Sequence, residues 1–386
     1  MNKPVFIEKL KRLCPPAIFR QLQRFENRRN IACYRKFSKD GIRENKVVFL
    51  SQTRDELDGN FRFINKALKS TSLKATVLLK SDHRDMENVM RQVAHAHYVI
   101  VDDFVRYMYT LPLNPQSKFI QVWHSAGAFK RMGFARMEHE GSTIRGSLTH
   151  RNYTDVIVSS EGVVDNFAEA FGIDRQRIHP IGVPRTDIFF DEKYKQRKRD
   201  ELRQKCGIKD GRKTVLFAPT YRGNDVNSAY YPNGFIDFNA LAQALGSDYV
   251  IVIKFHPFIK QDVHIQQENE HRIIDMSEIR EINDLLFMAD VLITDYSSVI
   301  FEYALLNKPV IFYTPDREEY TRKRDFFYNF STYCYGPVVT SQEGLAEAIL
   351  NPSFDFALNM GGFIQKFLSA CDGHSTTRFV DEILER

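Results

Sequence analysis

Cysteine is scarce and scattered in this chain. Cys14, Cys33, Cys206, Cys334 and Cys371 are odd in number and lie far apart, with no pair at C-x-x-C spacing, which argues against a disulfide scaffold and a cysteine-built metal or redox site. No stretch approaches the ~20 uninterrupted apolar residues that span a bilayer. Ala17-Ile18-Phe19 is too short for the apolar region of a secretory signal and is soon followed by Arg20 and Arg24. The G-x-G-x-x-G fingerprint and the G-x-x-x-x-G-K-[ST] loop are both missing, against a classical NAD enzyme and a P-loop ATPase. No repeat with a period of roughly 20 to 50 residues occurs, so a solenoid is not expected.

What is present fits an ordinary two-domain enzyme. At roughly 150 residues per domain, 386 residues point to two or three domains, two being the simpler division. Hydrophobic residues at 43% and charged residues at 27% exclude disordered and low-complexity classes. The net charge of +5 is unevenly placed: residues 1–40 carry eleven Lys or Arg against Glu8, Glu26 and Asp40, a net of +8, leaving −3 for the rest. Leu10 with Leu13, and Ile18 and Leu22 with Phe25, recur at helical spacing on either side of Pro15-Pro16, predicting two short amphipathic helices. Such a basic arm suits reversible docking on an anionic membrane surface.

From residue 46, short β-branched runs alternate with longer mixed segments, the pattern of βαβ units and parallel sheets. Strands are expected at 47–50, 75–79, 98–101, 119–123 and 155–159, then at 214–218, 249–254, 291–294 and 310–313. The charged stretch 191–213 reads as a linker or exposed helix. The expected division is an arm at 1–40, an α/β domain at 41–190, the linker, and a second α/β domain at 214–386 whose last helix can pack back on the first.

In open α/β sheets, ligands bind beyond the carboxyl ends of the strands, and the polar residues there draw notice. His124 follows 119–123, Thr220 and Arg222 follow 215–218, His256 follows 250–253, and Asp295-Tyr296-Ser297-Ser298 follows 291–293. A histidine near neutral pH accepts a proton from a hydroxyl nucleophile or, protonated, donates to a phosphate oxygen. Two of them on facing domains could approach one ligand from opposite sides. Lys254, two residues before His256, would share its strand face, and Pro257 favours an extended His256. A helix starting near Ser297 offers free N–H groups to an anion, with Glu302 one turn further in. Small residues at 125–128, then Lys130 and Arg131, suggest a second anion site, while Arg185 and Arg222 could clamp phosphate oxygens.

Six segments in order then resemble the CDP-glycerol glycerophosphotransferase family of teichoic acid synthesis: Gln121-Val122-Trp123-His124, Gly182-x-Pro184-Arg185-Thr186-Asp187, Ala218-Pro219-Thr220-Tyr221-Arg222, Lys254-x-His256-Pro257, Thr294-Asp295-Tyr296-Ser297-Ser298 and Asn307-Lys308-Pro309. The resemblance implies a GT-B-like fold of two Rossmann-type domains facing across a cleft. It also implies a peripheral place on the cytoplasmic face of the bacterial membrane and transfer of glycerol phosphate from CDP-glycerol to a lipid-linked saccharide or glycerol phosphate acceptor, with CMP leaving. On it, His124 is the base toward the acceptor hydroxyl and His256 the partner of the donor phosphates. Ser297 and Ser298 lie near the diphosphate, Glu302 contacts the ribose and Asp295 positions. No cofactor beyond the donor substrate and no metal are expected, because the histidines, Lys and Arg carry the phosphate charge.

Trp123-His124-Ser125-Ala126-Gly127-Ala128-Phe129-Lys130 is one residue longer between His and Lys than the family's common pattern, and Tyr335-Gly336-Pro337 replaces a common Pro-Gly-Pro. These departures bear on substrate identity. CDP-ribitol enzymes share the same motifs, and a sugar-nucleotide glycosyltransferase is the alternative on the same plan. Nucleic-acid binding through the basic arm is not expected, since the body is net negative and carries no stacking or groove-reading motif.

Overall fold

The computed structural model describes residues 16–136, 147–208, 211–223, 226–352 and 356–385. Two six-stranded parallel sheets carry the fold. The first comprises β1 (Arg43–Leu50), β2 (Lys74–Leu78), β3 (Ala96–Val101), β4 (Lys118–Gln121), β5 (Asp155–Ile157) and β6 (Ile178–His179), in the order β2-β1-β3-β4-β5-β6. The second comprises β7 (Lys213–Phe217), β8 (Tyr249–Ile253), β9 (Ile273–Asp275), β10 (Val291–Thr294), β11 (Val310–Tyr313) and β12 (Val338–Val339), ordered β12-β11-β10-β7-β8-β9. Parallel strands covered by helices on both faces are apolar throughout rather than alternating, and Val47, Val48, Phe49 and Leu50 are all fully buried. The expected strands are present. The edge strands β6 and β12 and the short β9 are additions to that expectation, because two or three residues leave no periodicity to read.

The strand order of the second sheet reverses between β7 and β10, which places Thr220 and Asp295 side by side at its switch point. The expected linker is the helix Glu192–Lys205, whose first turn is capped by Asp191. It lies against the second sheet's layer: Tyr194 donates to Asp284 at 2.9 Å, and Arg199 pairs with Asp290 at 3.0 Å.

Of the two short helices expected in the basic arm, the second is present and runs longer than expected. Pro16 begins one continuous helix, Pro16–Ser38, as proline permits in a first turn; Leu10 and Leu13 lie outside the described residues. The end of this helix is packed on the body: Tyr34 is buried and its hydroxyl accepts from the Asn114 N–H at 3.1 Å. Toward its start, Ile18, Leu22 and Phe25 are 46%, 46% and 67% exposed.

The two halves are tied together at several places. The Asp187 carboxylate accepts from the N–H groups of Ser375 and Thr376 at 2.9 and 2.8 Å, so the chain's last helical segment sits on the first sheet's side. Ser159 and Ser160 hydroxyls donate to the carbonyls of Phe367 and Lys366. Further contact comes from the loop after β4. Phe129 packs edge-on to Phe301, Phe326 and Tyr333, and Lys130 forms an antiparallel bridge with Phe326.

Candidate active site

His124 leaves the end of β4 through an unusual turn. Val122 still pairs in the sheet, its N–H donating to Val101 at 2.8 Å, but Trp123 has φ 51. A bulky aromatic residue in the left-handed region costs about 1–2 kcal/mol, so surrounding contacts must impose it. They do: the Trp123 N–H donates to Gln121 Oε1 at 2.8 Å, and its indole stacks on His124 at 4.2 Å and tilts against Phe104. The imidazole itself is exposed. Its Nδ1 lies 3.1 Å from the backbone carbonyl of Asp102. A carbonyl only accepts, so Nδ1 carries the hydrogen and Nε2 keeps a lone pair for an external proton. The buried Asp102 carboxylate is meanwhile bound to Arg54.

Arg185 and Glu302 join His124. The Arg185 guanidinium donates to the His124 carbonyl at 2.9 Å and to Glu302 Oε1 at 2.7 Å. Glu302 is buried on the helix Val299–Ala304. The expected free ribose contact and free phosphate clamp are therefore revised: each occupies the other across the two halves of the molecule.

A second cluster gathers Lys130, His256, Asp295, Arg222 and Thr220. Lys130, six positions beyond His124 on the same loop, has its ammonium 5.5 Å from the centre of the Tyr320 ring. Burial pulls its pKa down to about 8, against the attraction of Asp295. His256 contacts Tyr221 and Phe258. Burial, then the charges of Lys254 and Lys130, push its pKa down to about 4. Its Nδ1 accepts from the Phe258 N–H at 3.2 Å, so the neutral ring presents Nε2–H as a donor.

Two further expectations change here. Arg222 is not a free clamp: it pairs with Asp295 at 2.9 Å and with both oxygens of Asp316 at 2.7 and 3.0 Å, over the Tyr320 ring. Asp295 in turn accepts from the Thr220 and Tyr296 N–H groups at 2.7 and 2.6 Å, locking the loops after β7 and β10 together. Lys254 does not share a free strand face with His256, because β8 ends before it and its ammonium donates to the carbonyls of Phe255 and Ser277. Ser297 and Ser298 are half-buried, and the six-residue helix begins at Val299, with Ser298 at its cap position.

The small residues at 125–128 serve a contact other than the expected ligand approach. Gly127 has φ 68, and a Cβ there would sit 2.3 Å from Phe301 Cε1, so glycine lets the His124 loop lie on the second half of the chain. Sequence reasoning missed Asp102, Arg54, Asn60 and Asp316. Asp102, directly after β3, and Asp316, in the Thr-Pro-Asp turn after β11, had the strand-end position that could have flagged them.

Two parallel-sheet halves with a titratable loop between them define a GT-B-like enzyme fold. The family model described as CDP-glycerol:poly(glycerophosphate) glycerophosphotransferase matches residues 21–385, and the chain belongs to that family. It is 38% identical over 351 residues to the teichoic acid poly(ribitol-phosphate) polymerase of Bacillus spizizenii, covering 89% of this chain and 56% of that protein. The chain thus spans little more than half of that relative. To the teichoic acid glycerol-phosphate primase of Bacillus subtilis it is 32% identical, over 74% of this chain and 72% of that one. The solved wall teichoic acid polymerase TagF superposes with a TM-score of 0.75 at 22% identity, over 95% of this chain and 96% of that chain, a likeness of fold.

Proposed function

We propose that this chain transfers a polyol phosphate from a CDP-activated polyol to a hydroxyl of a lipid-linked acceptor in the synthesis of teichoic acid or a related surface polymer. The observation that carries this reading is the single loop that holds His124 Nε2 free at one end and Lys130 beside His256 at the other. In the proposed step the acceptor hydroxyl oxygen attacks the β-phosphorus of the donor and its proton passes to His124 Nε2. The bond from that phosphorus to the bridging oxygen breaks, and CMP leaves with the electron pair. Lys130 and His256 Nε2–H face the diphosphate and offset its charge, and Ser297 and Ser298 are the adjacent hydroxyls. Arg222, Asp295 and Thr220 act behind them as the frame of the donor side, with Arg185 and Glu302 holding His124 against it. Positioning and charge neutralisation supply most of the rate in such transfers.

Between glycerol and ribitol, the 38% identity to a ribitol-phosphate polymerase against 28% to a poly(glycerol phosphate) polymerase supports ribitol. Offering the chain CDP-ribitol, CDP-glycerol and a UDP-sugar in parallel, with a primed lipid-linked acceptor, and weighing the products tests both levels. CMP with ribitol phosphate addition is expected. CMP from CDP-glycerol alone would reverse the donor assignment, and release of UDP alone would replace the whole reading with glycosyl transfer.

No helix among the described residues is long and apolar enough to cross a membrane. Peripheral docking is proposed instead through Ile18, Leu22 and Phe25, exposed beside Arg24, Arg28 and Arg29. Flotation with anionic vesicles tests it: Phe25→Glu should release the chain, and unchanged flotation would contradict the docking surface.

A further inference from the structure

Asn60 is buried at the first turn of the helix Asn60–Leu68 and touches neither cluster with an acid, a base or a charge of its own. Its side-chain amide is nevertheless fully employed on the loops that form the site. Nδ2 donates to the carbonyl of Val122 at 3.0 Å and to that of Trp123 at 2.9 Å, while Oδ1 accepts from the Arg185 N–H at 2.9 Å. In an extended strand, consecutive carbonyls point to opposite sides. Here the left-handed Trp123 turns two successive carbonyls toward one NH2 group, and only an amide offers two donors and an acceptor at that place.

The consequence reaches both members of the His124 cluster. The Trp123 carbonyl belongs to the peptide that leads into His124, so fixing it fixes the starting direction of the imidazole. Holding the Arg185 backbone fixes the root of the guanidinium that binds the His124 carbonyl and Glu302. We infer that Asn60 is a positioning residue: its amide sets the aim of His124 and couples that aim to Glu302 through Arg185. This rests on the proposed role of His124 as the proton acceptor, so the test needs one arm that requires no activity.

That arm is nitrogen NMR of the His124 imidazole, assigned by its loss in His124→Ala. The wild-type chain should show the Nδ1–H tautomer that the Asp102 carbonyl selects. Asn60→Asp keeps the shape but loses both donors, and Asn60→Ala removes the amide without adding a buried charge. Both should relax the ring to mixed tautomers, and an unchanged signal in a folded Asn60→Ala would overturn the inference whatever the chain catalyses.

In the kinetic arm, Asn60→Ala should lower kcat on the order of 10²-fold, the scale of a misplaced catalytic group, with donor KM within about twofold. In the His124→Ala background, Asn60→Ala should bring no further loss, because Asn60 acts through that ring. Independent, additive losses would instead assign Asn60 to general stability. Absence of CMP release by the wild-type chain from any CDP-polyol would sink the proposed function while leaving the NMR result to decide the role of Asn60.

Discussion

The carboxylate of Glu302 and the guanidinium of Arg185 meet at 2.7 Å between the two halves of the chain, with Glu302 buried and Arg185 mostly so. Breaking a buried pair by removing one partner leaves an uncompensated charge, which costs about 3–5 kcal/mol. Arg185→Ala should therefore lower thermal stability markedly, and Glu302→Gln less, because an amide still accepts from Arg185 and the guanidinium keeps the attraction of Glu281 and Asp58. Equal melting temperatures for wild type and Arg185→Ala would show that the pair does not join the halves in solution.

Lys130 gives the proposed donor site a pH dependence. Its pKa lies near 8, lowered by burial and raised by Asp295, with Arg324 and Arg222 adding repulsion. The protonated ammonium attracts a diphosphate, so donor binding should favour the charged form and weaken as pH rises through about 8 and above. Titration calorimetry in buffers of different ionisation enthalpy should register proton uptake on binding near pH 8. Lys130→Ala should bind more weakly below pH 8 and lose that uptake; uptake that persists in the variant would place the titrating group elsewhere.

Gly127 should tolerate no side chain. A Cβ would clash with Phe301, which is itself stacked on Phe363, and the positive φ adds backbone strain. Gly127→Ala is expected to destabilise by about 1–3 kcal/mol and to lower transfer more than stability alone explains, since the His124 loop must lift off. Chemical denaturation with activity at matched folded fraction checks both parts.

Acid sensitivity should arise from both His256 and His150, whose pKa values are lowered alike, and outside the proposed site it falls on His150. It is buried among Phe104, Tyr109, Phe134, Tyr153 and Phe171, neither ring nitrogen has a partner among the described residues, and burial drops its pKa to about 4. Because the unfolded chain binds this proton near pH 6.5 and the folded chain does not, stability is complete above 6.5. It should fall as pH drops toward 4, by about 3 kcal/mol in all. His150→Asn keeps a residue that accepts φ 64 and should flatten the slope in that window. An unchanged slope would assign the acid response to other groups.

Much of this architecture is legible in the sequence because buried parallel strands write themselves as apolar runs. His124, His256 and Lys130 stand out as the reactive side chains just beyond the carboxyl ends of those runs. Partnership is not legible. Arg222 has the residue type and position of a phosphate clamp, yet Asp316, 94 positions away, holds it. Glu302 and Arg185 each have the chemistry to take a ligand, and only the fold shows that they satisfy one another. Asn60 leaves no signal, since a polar residue at a helix start is ordinary and its value depends on two carbonyls turned by a left-handed Trp123. In the basic arm Pro16 opens a helix, as expected of the second of the two, and the first lies outside the described residues.

The most direct test of the account is the rate of CMP release by the wild-type chain and by His124→Ala, measured with saturating CDP-polyol and lipid-linked acceptor, alongside donor affinity. If His124 Nε2 takes the acceptor proton, the variant should lose about 10²–10⁴-fold in kcat while binding the donor as tightly as wild type. Retention of most of the turnover in His124→Ala would contradict the assignment of the base and, with it, the mechanism built on the His124 loop.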